Sequence, residues 1–306
     1  MAGPKSRKRE APAAARPRKL PAEPASSRLP SLALVAPMLF ASGCCALVFQ
    51  VAWMRELRLV FGVTTAAVAA VLAVFMGGLG LGSAMLGRRA EQSSNPLRMY
   101  GLLEVGVALS VAASPWLIAA TRASYIRLGG QAELGLHGAT LVRLLSAAIV
   151  MGVPTFLMGG TLPAAVRAVT RDSDVRRLAP AVLYGVNTLG AVCGAAVATF
   201  IALEHLGTRA TLHAACALNL LVGAIAYSQA RKMGAAETRD DRSLSQASAT
   251  KTEFDHALLY ATAAVLGFTF FMLELVWYRM LGPILGGTTF TFGLILCVAL
   301  FGIGIG

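Results

Sequence analysis

The sequence predicts an all-α polytopic membrane protein, and three observations support this fold class. Of the 306 residues, 56% are hydrophobic and only 14% are charged, which is more apolar surface than a soluble domain can bury. Apolar runs long enough to cross a bilayer of about 30 Å recur along the chain. The last forty residues also repeat an earlier segment, which indicates that a membrane unit was duplicated.

The repeat pairs residues 43–82 with residues 267–306 at an offset of 224, without a gap. Twelve of the forty positions are identical. Apolar bias alone can match leucines and valines, but it does not readily match a tryptophan, an arginine and five glycines in register. The matched positions include Trp53/Trp277, Arg55/Arg279, Gly62/Gly286, Thr64/Thr288, Thr65/Thr289 and the glycines Gly78, Gly80, Gly82 with Gly302, Gly304, Gly306.

Hydropathy predicts eight spans, all of them helices because lipid offers no partner for unpaired backbone groups. They lie near residues 31–53, 63–86, 99–120, 139–166, 179–202, 209–229, 256–278 and 285–306. The first six form one membrane repeat over residues 31–229, and the last two begin a second, truncated repeat over residues 256–306. Residues 1–30 are predicted to be a disordered basic tail, and residues 230–255 a cytoplasmic linker.

The net charge of +12 is concentrated in the tail and in the loops after the second, fourth and sixth spans. Positively charged loops stay in the cytoplasm, so the N-terminus is predicted to be cytoplasmic. Because this rule accounts for the basic residues, the expected partner is the lipid bilayer and not nucleic acid.

The first and seventh spans are separated by an even number of crossings, so both run from inside to outside. Two parallel copies are the symmetry of the major facilitator superfamily. Residue 306 corresponds to residue 82, so the second copy lacks its later helices. We therefore expect the remainder of the same protein, with the missing helices, as a partner of this chain.

Five segments, in order, carry a resemblance: SGCCALVFQVAWMRELRLVFG, FMGGLGLGSAMLGR, NPLRMYGLLEVGVAL, PTFLMGGTLPAAVR and YGVNTLGAVCGAAVATFIALEHLGTRATLHAACALNLLVG. They resemble the membrane region of bacterial fused proteins, in which a major-facilitator-like domain precedes a spermidine-synthase-like domain. The resemblance covers residues 31–306. It implies a bacterial inner membrane protein linked to polyamines, with a soluble aminopropyltransferase-like domain further on. The loop GSAMLGRRAEQ also resembles a superfamily loop motif, but it lacks that motif's aspartate.

The chain itself shows no catalytic constellation and no cofactor site. Two polar residues nevertheless occupy the same position in both repeats: Gln50 and Glu274 each precede the shared tryptophan by three residues. A carboxylate inside a span is expensive unless it is paired or hydrated. Glu274 is therefore either a cation or proton site facing a cavity, or an interface residue near water. The predicted interface anchors are Trp53, Arg55, Trp277 and Arg279.

Three other polar residues are candidates for a solute cavity. Glu104 either forms a clasp with an arginine at position 88, 89 or 98, or binds a cationic substrate. Arg143 either extends to the interface or holds an anionic substrate. Asn187 lies about 12 Å along its span, where a buried amide either joins helices or contacts a solute.

Glycine and proline residues predict how the spans pack and where they bend. Close helix packing is expected at Gly78, Gly82, Gly190, Gly194, Gly302 and Gly306. Pro154, Gly159, Gly160 and Pro163 predict a kink or a break in the span 139–166. The five cysteines all fall within spans, and the histidines are scattered, so we predict neither a disulfide framework nor a metal site.

Two functions follow from these observations. The chain is either a transporter-like membrane domain that moves or senses a small polar solute, with polyamines suggested by the resemblance, or a membrane anchor that does not transport and holds an enzyme domain beyond residue 306. The two hypotheses differ in the centre of the bundle. A transporter needs a polar cavity there, whereas an anchor would be packed and dry.

Overall fold

The computed structural model describes residues 30–62, 64–170, 178–237, 256–286 and 288–305. The predicted tail, and residues 238–255 of the predicted linker, lie outside these ranges. The described elements are all helical: α1 Leu32–Phe61, α2 Thr65–Glu91, α3 Pro96–Ala112, α4 Ser114–Arg127, α5 Gly130–Val169, α6 Leu178–Val197, α7 Leu203–His205, α8 Gly207–Glu237, α9 His256–Leu285 and α10 Thr289–Ile305, with a π-helical turn, Ala198–Ala202, between α6 and α7.

The backbone repeats where the sequence repeats. Helices α1 and α9 are both 30 residues long, and their bounds differ by 224 residues at each end. The loop residues Gly62 and Gly286 occupy the same position in both copies, with φ of 83° and 78°. Only glycine adopts this left-handed region without strain. The first turn residue therefore has the same φ region in both copies, because both copies keep the same glycine.

Six helices are long and apolar enough to cross a membrane, or seven if α3 and α4 form one bent span. The chain is thus an all-helical multi-pass membrane protein. The number of spans in the described part of the chain differs from the eight predicted, because α10 has only 17 residues. A helix needs about 20 residues to cross the hydrocarbon core without help from its neighbours.

The third predicted span is broken into two helices. Helix α3 ends at Ala112 and α4 begins at Ser114, with a bend of 41° between them. Pro115 lies in the first turn of α4, where its missing N–H is tolerated, but it cannot continue the hydrogen-bond ladder of α3. The fully buried Ser114 hydroxyl accepts a hydrogen bond from Trp53 Nε1 at 3.0 Å, which ties the break to α1.

The break predicted near Pro154 and Pro163 is not present. Helix α5 keeps helical backbone angles through both prolines, and its non-helical residue is Gly135, close to the N-terminal end. Gly159 has a packing role, because a Cβ placed there would lie 2.7 Å from the Ser83 backbone nitrogen of α2. The glycines in this stretch admit a neighbouring helix and do not interrupt their own.

Three pairs of helices make the most extensive contacts: α1 with α6, α2 with α5, and α3 with α8. Each pair approaches at glycines whose Cβ would overlap the partner helix, at Gly190 and Gly194 for the first pair, Gly78 and Gly82 for the second, and Gly101 and Gly223 for the third. Close backbone approach at small residues is a main source of helix association in lipid. By contrast, a Cβ on Gly302 would meet no described atom within 4 Å, and Gly306 lies outside the described residues.

The first helices of the two copies, α1 and α9, differ in how far other helices cover them. Trp53 and Phe49 of α1 are fully buried, whereas their counterparts Trp277 and Leu273 of α9 are 38% and 41% exposed. Helices of the first bundle pack around α1, while α9 contacts mainly α10 and α2 among the described helices. The apolar side of α9 is therefore open where the equivalent side of α1 is covered by protein.

We predict opposite effects from two Gly→Ala substitutions on α2. In Gly82→Ala, the new methyl group meets the Phe156 carbonyl, so overpacking should lower the free energy of unfolding by roughly 1–3 kcal/mol. In Gly80→Ala, the methyl group points into open space, so stability should stay level or rise by up to about 1 kcal/mol through helix propensity. Thermal unfolding of the purified protein in detergent measures both. Equal midpoints for the two variants would contradict the packing seam between α2 and α5.

Candidate functional site: the central seam

Glu274 and Gln50 are both buried at equivalent positions of the two repeats. Each side chain is 1% exposed. Neither carboxylate oxygen of Glu274 has a hydrogen-bond partner among the described residues, and neither does Nε2 of Gln50. This burial disagrees with the alternative that Glu274 is an interface residue kept near water. A carboxylate in this position needs a compensating charge or hydrogen-bond donor.

A contact joins the C-terminal parts of α1 and α9. The Arg58 guanidinium lies over the ring of Tyr278, 5.6 Å from its centre. On α9, Glu274 is one helical turn before Tyr278 and shares its face, whereas on α1 Gln50 lies eight residues, about 12 Å, before Arg58. The contact also joins the same ends of two equivalent helices, as expected of copies that run in the same direction. We call the junction of α1 and α6 with α9 and α10 the central seam.

A cavity of about 410 Å³ opens at one end of the central seam, and we call it the seam pocket. Its lining comes from both repeats: Arg55, Thr199, Leu203, Glu204, Thr288, Thr289 and Phe290. Arg55 Nη1 donates a hydrogen bond to the Leu203 carbonyl at 2.9 Å. The buried Thr199 hydroxyl has no hydrogen-bond partner among the described residues. The seam pocket thus offers a guanidinium, a carboxylate and hydroxyl groups to a polar solute.

The sequence analysis did not identify Thr199 and Glu204 as candidate site residues. They lie in and just after the π-helical turn Ala198–Ala202, and π-turns occur often at functional sites. Such a turn has no reliable sequence signature. Thr288 and Thr289 were visible as repeated residues, but the repeat did not show that they line a pocket opposite α6.

Asn187 lies outside the seam pocket lining and is half-buried on α6 against α1. A Cβ on Gly43 would lie 2.8 Å from its side-chain oxygen. This contact with α1 is one of packing, and the choice between its two predicted roles, joining helices or contacting a solute, stays a prediction.

The clasp between Glu104 and an arginine is not formed. Arg88, Arg89 and Arg98 are exposed, and Arg98 lies over the ring of Tyr227. Glu104 is 1% exposed and accepts a hydrogen bond from Ser42 Oγ at 2.5 Å. The arginine side chains reach the solvent-exposed ends of their helices, where they are hydrated, so they do not meet the buried acid.

Arg143 is also enclosed and does not extend to an interface. It is 2% exposed, and Nη2 donates hydrogen bonds to Tyr125 Oη at 3.2 Å and to Gln131 Oε1 at 2.9 Å. These partners come from α4 and the start of α5. Helix α4 folds over the guanidinium because the chain turns back at the left-handed Gly129 and Gly130. The structure therefore places Arg143 in a cluster of its own, away from the central seam.

The predicted interface anchors have different surroundings in the two copies. Trp53 is buried and bonded to Ser114, and Arg55 lines the seam pocket. Trp277 and Arg279 are exposed on α9. The first pair contacts protein because α1 is surrounded by its bundle, whereas the second pair faces outward.

A second cavity, of about 460 Å³, lies between α1, α4 and α8. Its charged lining residues are Glu56, Arg122 and Arg209, and its apolar floor includes Ile118 and Leu212. It lies within the first repeat alone, so it does not join the two copies.

Comparisons with protein-family models, curated proteins and solved structures gave no match to this chain. The proposals below therefore depend on the geometry of the described residues and on the resemblance seen in the sequence.

Thiol labelling should distinguish the seam pocket from the packed interior. In a variant whose five native cysteines are replaced by alanine, Thr289→Cys should react with a small, charged, membrane-impermeant thiol reagent, because Thr289 is half-buried in the pocket lining. Thr188→Cys is the matched control, since Thr188 is 5% exposed and should not react. Protection of both positions would contradict a water-accessible pocket, as would equal labelling of both.

Proposed function

We propose that this chain is the membrane domain of a transporter-like protein, in which a small polar solute enters the central seam. The observation that carries the proposal is Glu274, a carboxylate that is 1% exposed and has no partner among the described residues. Burying such a group without compensation is expensive, so intramembrane acids usually serve a cation, a proton or a solute. We infer that Glu274 lies at the interface of two parallel repeats, where transporters of this symmetry bind their ligands.

The seam pocket supports the same proposal. It is lined by both repeats, and a site between two copies changes shape when the copies rock against each other. Arg55 and Glu204 supply charges of opposite sign at its entrance. A solute that carries both a cationic and a polar group fits this lining.

Polyamines are the first solutes to test, because the five resembling segments associate this chain with spermidine-synthase-like proteins. The charges of the site do not favour a long polycation strongly. Glu274 is the buried acid of the central seam, while Arg55 and Arg58 are nearby cations. A shorter amine or a zwitterion needs fewer acidic groups, so both classes belong in the same assay.

The alternative function is a membrane anchor for a soluble, spermidine-synthase-like enzyme domain beyond residue 306. It gains support from the tight glycine seams, which make most of the first bundle dry and densely packed. An anchor does not explain why an unpaired acid is kept in the central seam, so we favour the transporter-like function.

The open face of α9 supports a second bundle as the protein's own partner. Trp277, Leu273 and Val276 are each about two-fifths exposed, while their counterparts on α1 are fully buried by bundle helices. We propose that helices equivalent to α3–α8 cover this face in the complete protein.

Replacing the seam acid should abolish transport. In proteoliposomes, Glu274→Gln should reduce uptake of labelled spermidine, or of a labelled zwitterion, on the order of 100-fold, because the cationic group of the bound solute would lose the acid proposed to pair with it, and an unpaired buried charge costs about 3 kcal/mol or more. Glu91→Gln is the matched control, because Glu91 is exposed at the end of α2. Unchanged uptake by Glu274→Gln would remove this residue from the mechanism. No uptake above empty vesicles by the unsubstituted protein would favour the anchor.

The proposed location is the bacterial inner membrane, with the N-terminus in the cytoplasm. In the cysteine-free variant, Ser26→Cys in the tail should react with an impermeant thiol reagent only in inside-out vesicles. Arg122→Cys, an exposed position on α4, should react only in right-side-out vesicles. Reaction of both positions from the same side would overturn the orientation derived from the positive charges.

A further inference from the structure

A buried polar cluster lies within the first bundle, apart from the central seam. It is formed by Ser42 of α1, Tyr100 and Glu104 of α3, and Asn219 of α8, which are 7%, 0%, 1% and 1% exposed. Ser42 Oγ donates a hydrogen bond to Glu104 Oε1 at 2.5 Å. Asn219 Nδ2 donates to the Glu104 backbone carbonyl at 3.4 Å. We call these four residues the polar cluster, and it joins three helices.

Three oxygens of the polar cluster have no hydrogen-bond partner in the described part of the chain. They are Glu104 Oε2, Tyr100 Oη and Asn219 Oδ1. Because Tyr100 is one helical turn before Glu104 on α3, its hydroxyl lies on the same face as the carboxylate. Polar groups buried in lipid-embedded helices are expected to be satisfied. The Tyr100 phenol can donate to the carboxylate, but no described cation compensates the charge of Glu104. A buried acid ringed by oxygens therefore indicates a small positive ligand that these oxygens can bind.

No positive side chain of the described residues neutralises Glu104. The other ionisable groups beside it are the thiol of Cys45 on α1 and the Tyr100 phenol on its own helix. Helix α5 also packs on α3, near Leu157, but its cationic residues Arg167 and Arg143 are about 15 Å and 21 Å away along the helix. Arg143 is also already engaged with Tyr125 and Gln131.

We propose that the polar cluster is a binding site for one monovalent cation, a proton or a sodium ion, that neutralises Glu104. A proton would be bound to Glu104 Oε2, and the resulting O–H would donate a hydrogen bond to a neighbouring oxygen. A sodium ion would use the same oxygens as ligands, since hard cations take carboxylate, amide and hydroxyl oxygens. In both cases, one positive charge neutralises Glu104 and gives the neighbouring oxygens a group to bind.

The site is a property of the first repeat alone. The counterpart of Ser42 in the second repeat is Leu266, which is 65% exposed and apolar. A cation held among α1, α3 and α8 links its binding to the packing of α1, and α1 also presents Gln50 to the central seam. A role for this cation in driving solute movement rests on the proposed function. The binding of the cation to the polar cluster does not.

Infrared spectroscopy of the purified, full-length chain tests the site without any transport assay. The protein is studied at neutral pH in sodium-free buffer and again after sodium chloride is added, with Glu274→Gln as the background so that only one buried acid contributes. If the ligand is a proton, a protonated-carboxyl C=O band is present in sodium-free buffer and disappears in Glu104→Gln. If the ligand is sodium, added sodium changes the carboxylate bands of Glu104, whereas potassium chloride at the same concentration does not.

Ser42→Ala supplies a readout that does not require removing the acid. If the ligand is a proton, loss of the Ser42 hydrogen bond should shift the C=O band to higher wavenumber. If the ligand is sodium, the sodium concentration that gives half of the spectral change should rise at least tenfold. Tyr227→Phe, on α8 but outside the polar cluster, should leave both unchanged. An ionised Glu104 whose bands do not respond to sodium would overturn the proposal, because a hydrated, unliganded carboxylate would then explain the cluster.

Discussion

The close approach of helix backbones at glycines is the constraint on which the rest of the structure depends. Gly190 and Gly194 of α6 lie against the α1 backbone, which fixes the rotation of α1 about its own axis. With that rotation set, Ser42 points toward α3 and Gln50 is buried. A larger residue at either glycine would push the helices apart, and the hydrogen bond from Ser42 to Glu104 would be lost. In lipid there is little hydrophobic force to restore the contact.

The repeat explains both what the sequence predicted well and where it failed. Apolar runs predicted the order of the helices, but not all their ends: α1 ends at Phe61 and α9 at Leu285, whereas the predicted spans end at residues 53 and 278. The left-handed φ angles fall at Gly62 and Gly286, which the repeat had paired. The break at Ala113 depends on Pro115, a local signal that hydropathy averages away. Helix α5 stays helical through Pro154 and Pro163, and Gly159 there packs against α2; this packing is a tertiary contact that leaves no trace in the local sequence.

The candidate site was only partly predictable, because partners come from distant helices. Glu274 and Gln50 were visible as polar positions in apolar runs, and the repeat paired them. The Ser42 partner of Glu104 is 62 residues away in sequence, and Ser42 is an ordinary small residue in a span. The π-turn that places Thr199 in the seam pocket has no reliable sequence signal. Proximity along the chain favoured arginines as partners of Glu104, but hydration keeps those side chains exposed.

The two buried acids have different surroundings, and this difference separates their roles. Glu274 lies between the repeats, where no described residue pairs with it and the neighbouring helices belong to different copies. Glu104 lies within one bundle, held by a hydroxyl and bordered by oxygens of rigidly packed helices. A site between movable units suits a ligand that must enter and leave, because its walls separate. A site within one unit suits a small ion that biases the conformation of that unit. Helix α1 takes part in both places, through the Ser42 contact with Glu104 and the Arg58 contact with Tyr278, so in the proposed function it is the helix through which a change of charge at Glu104 would reach the central seam.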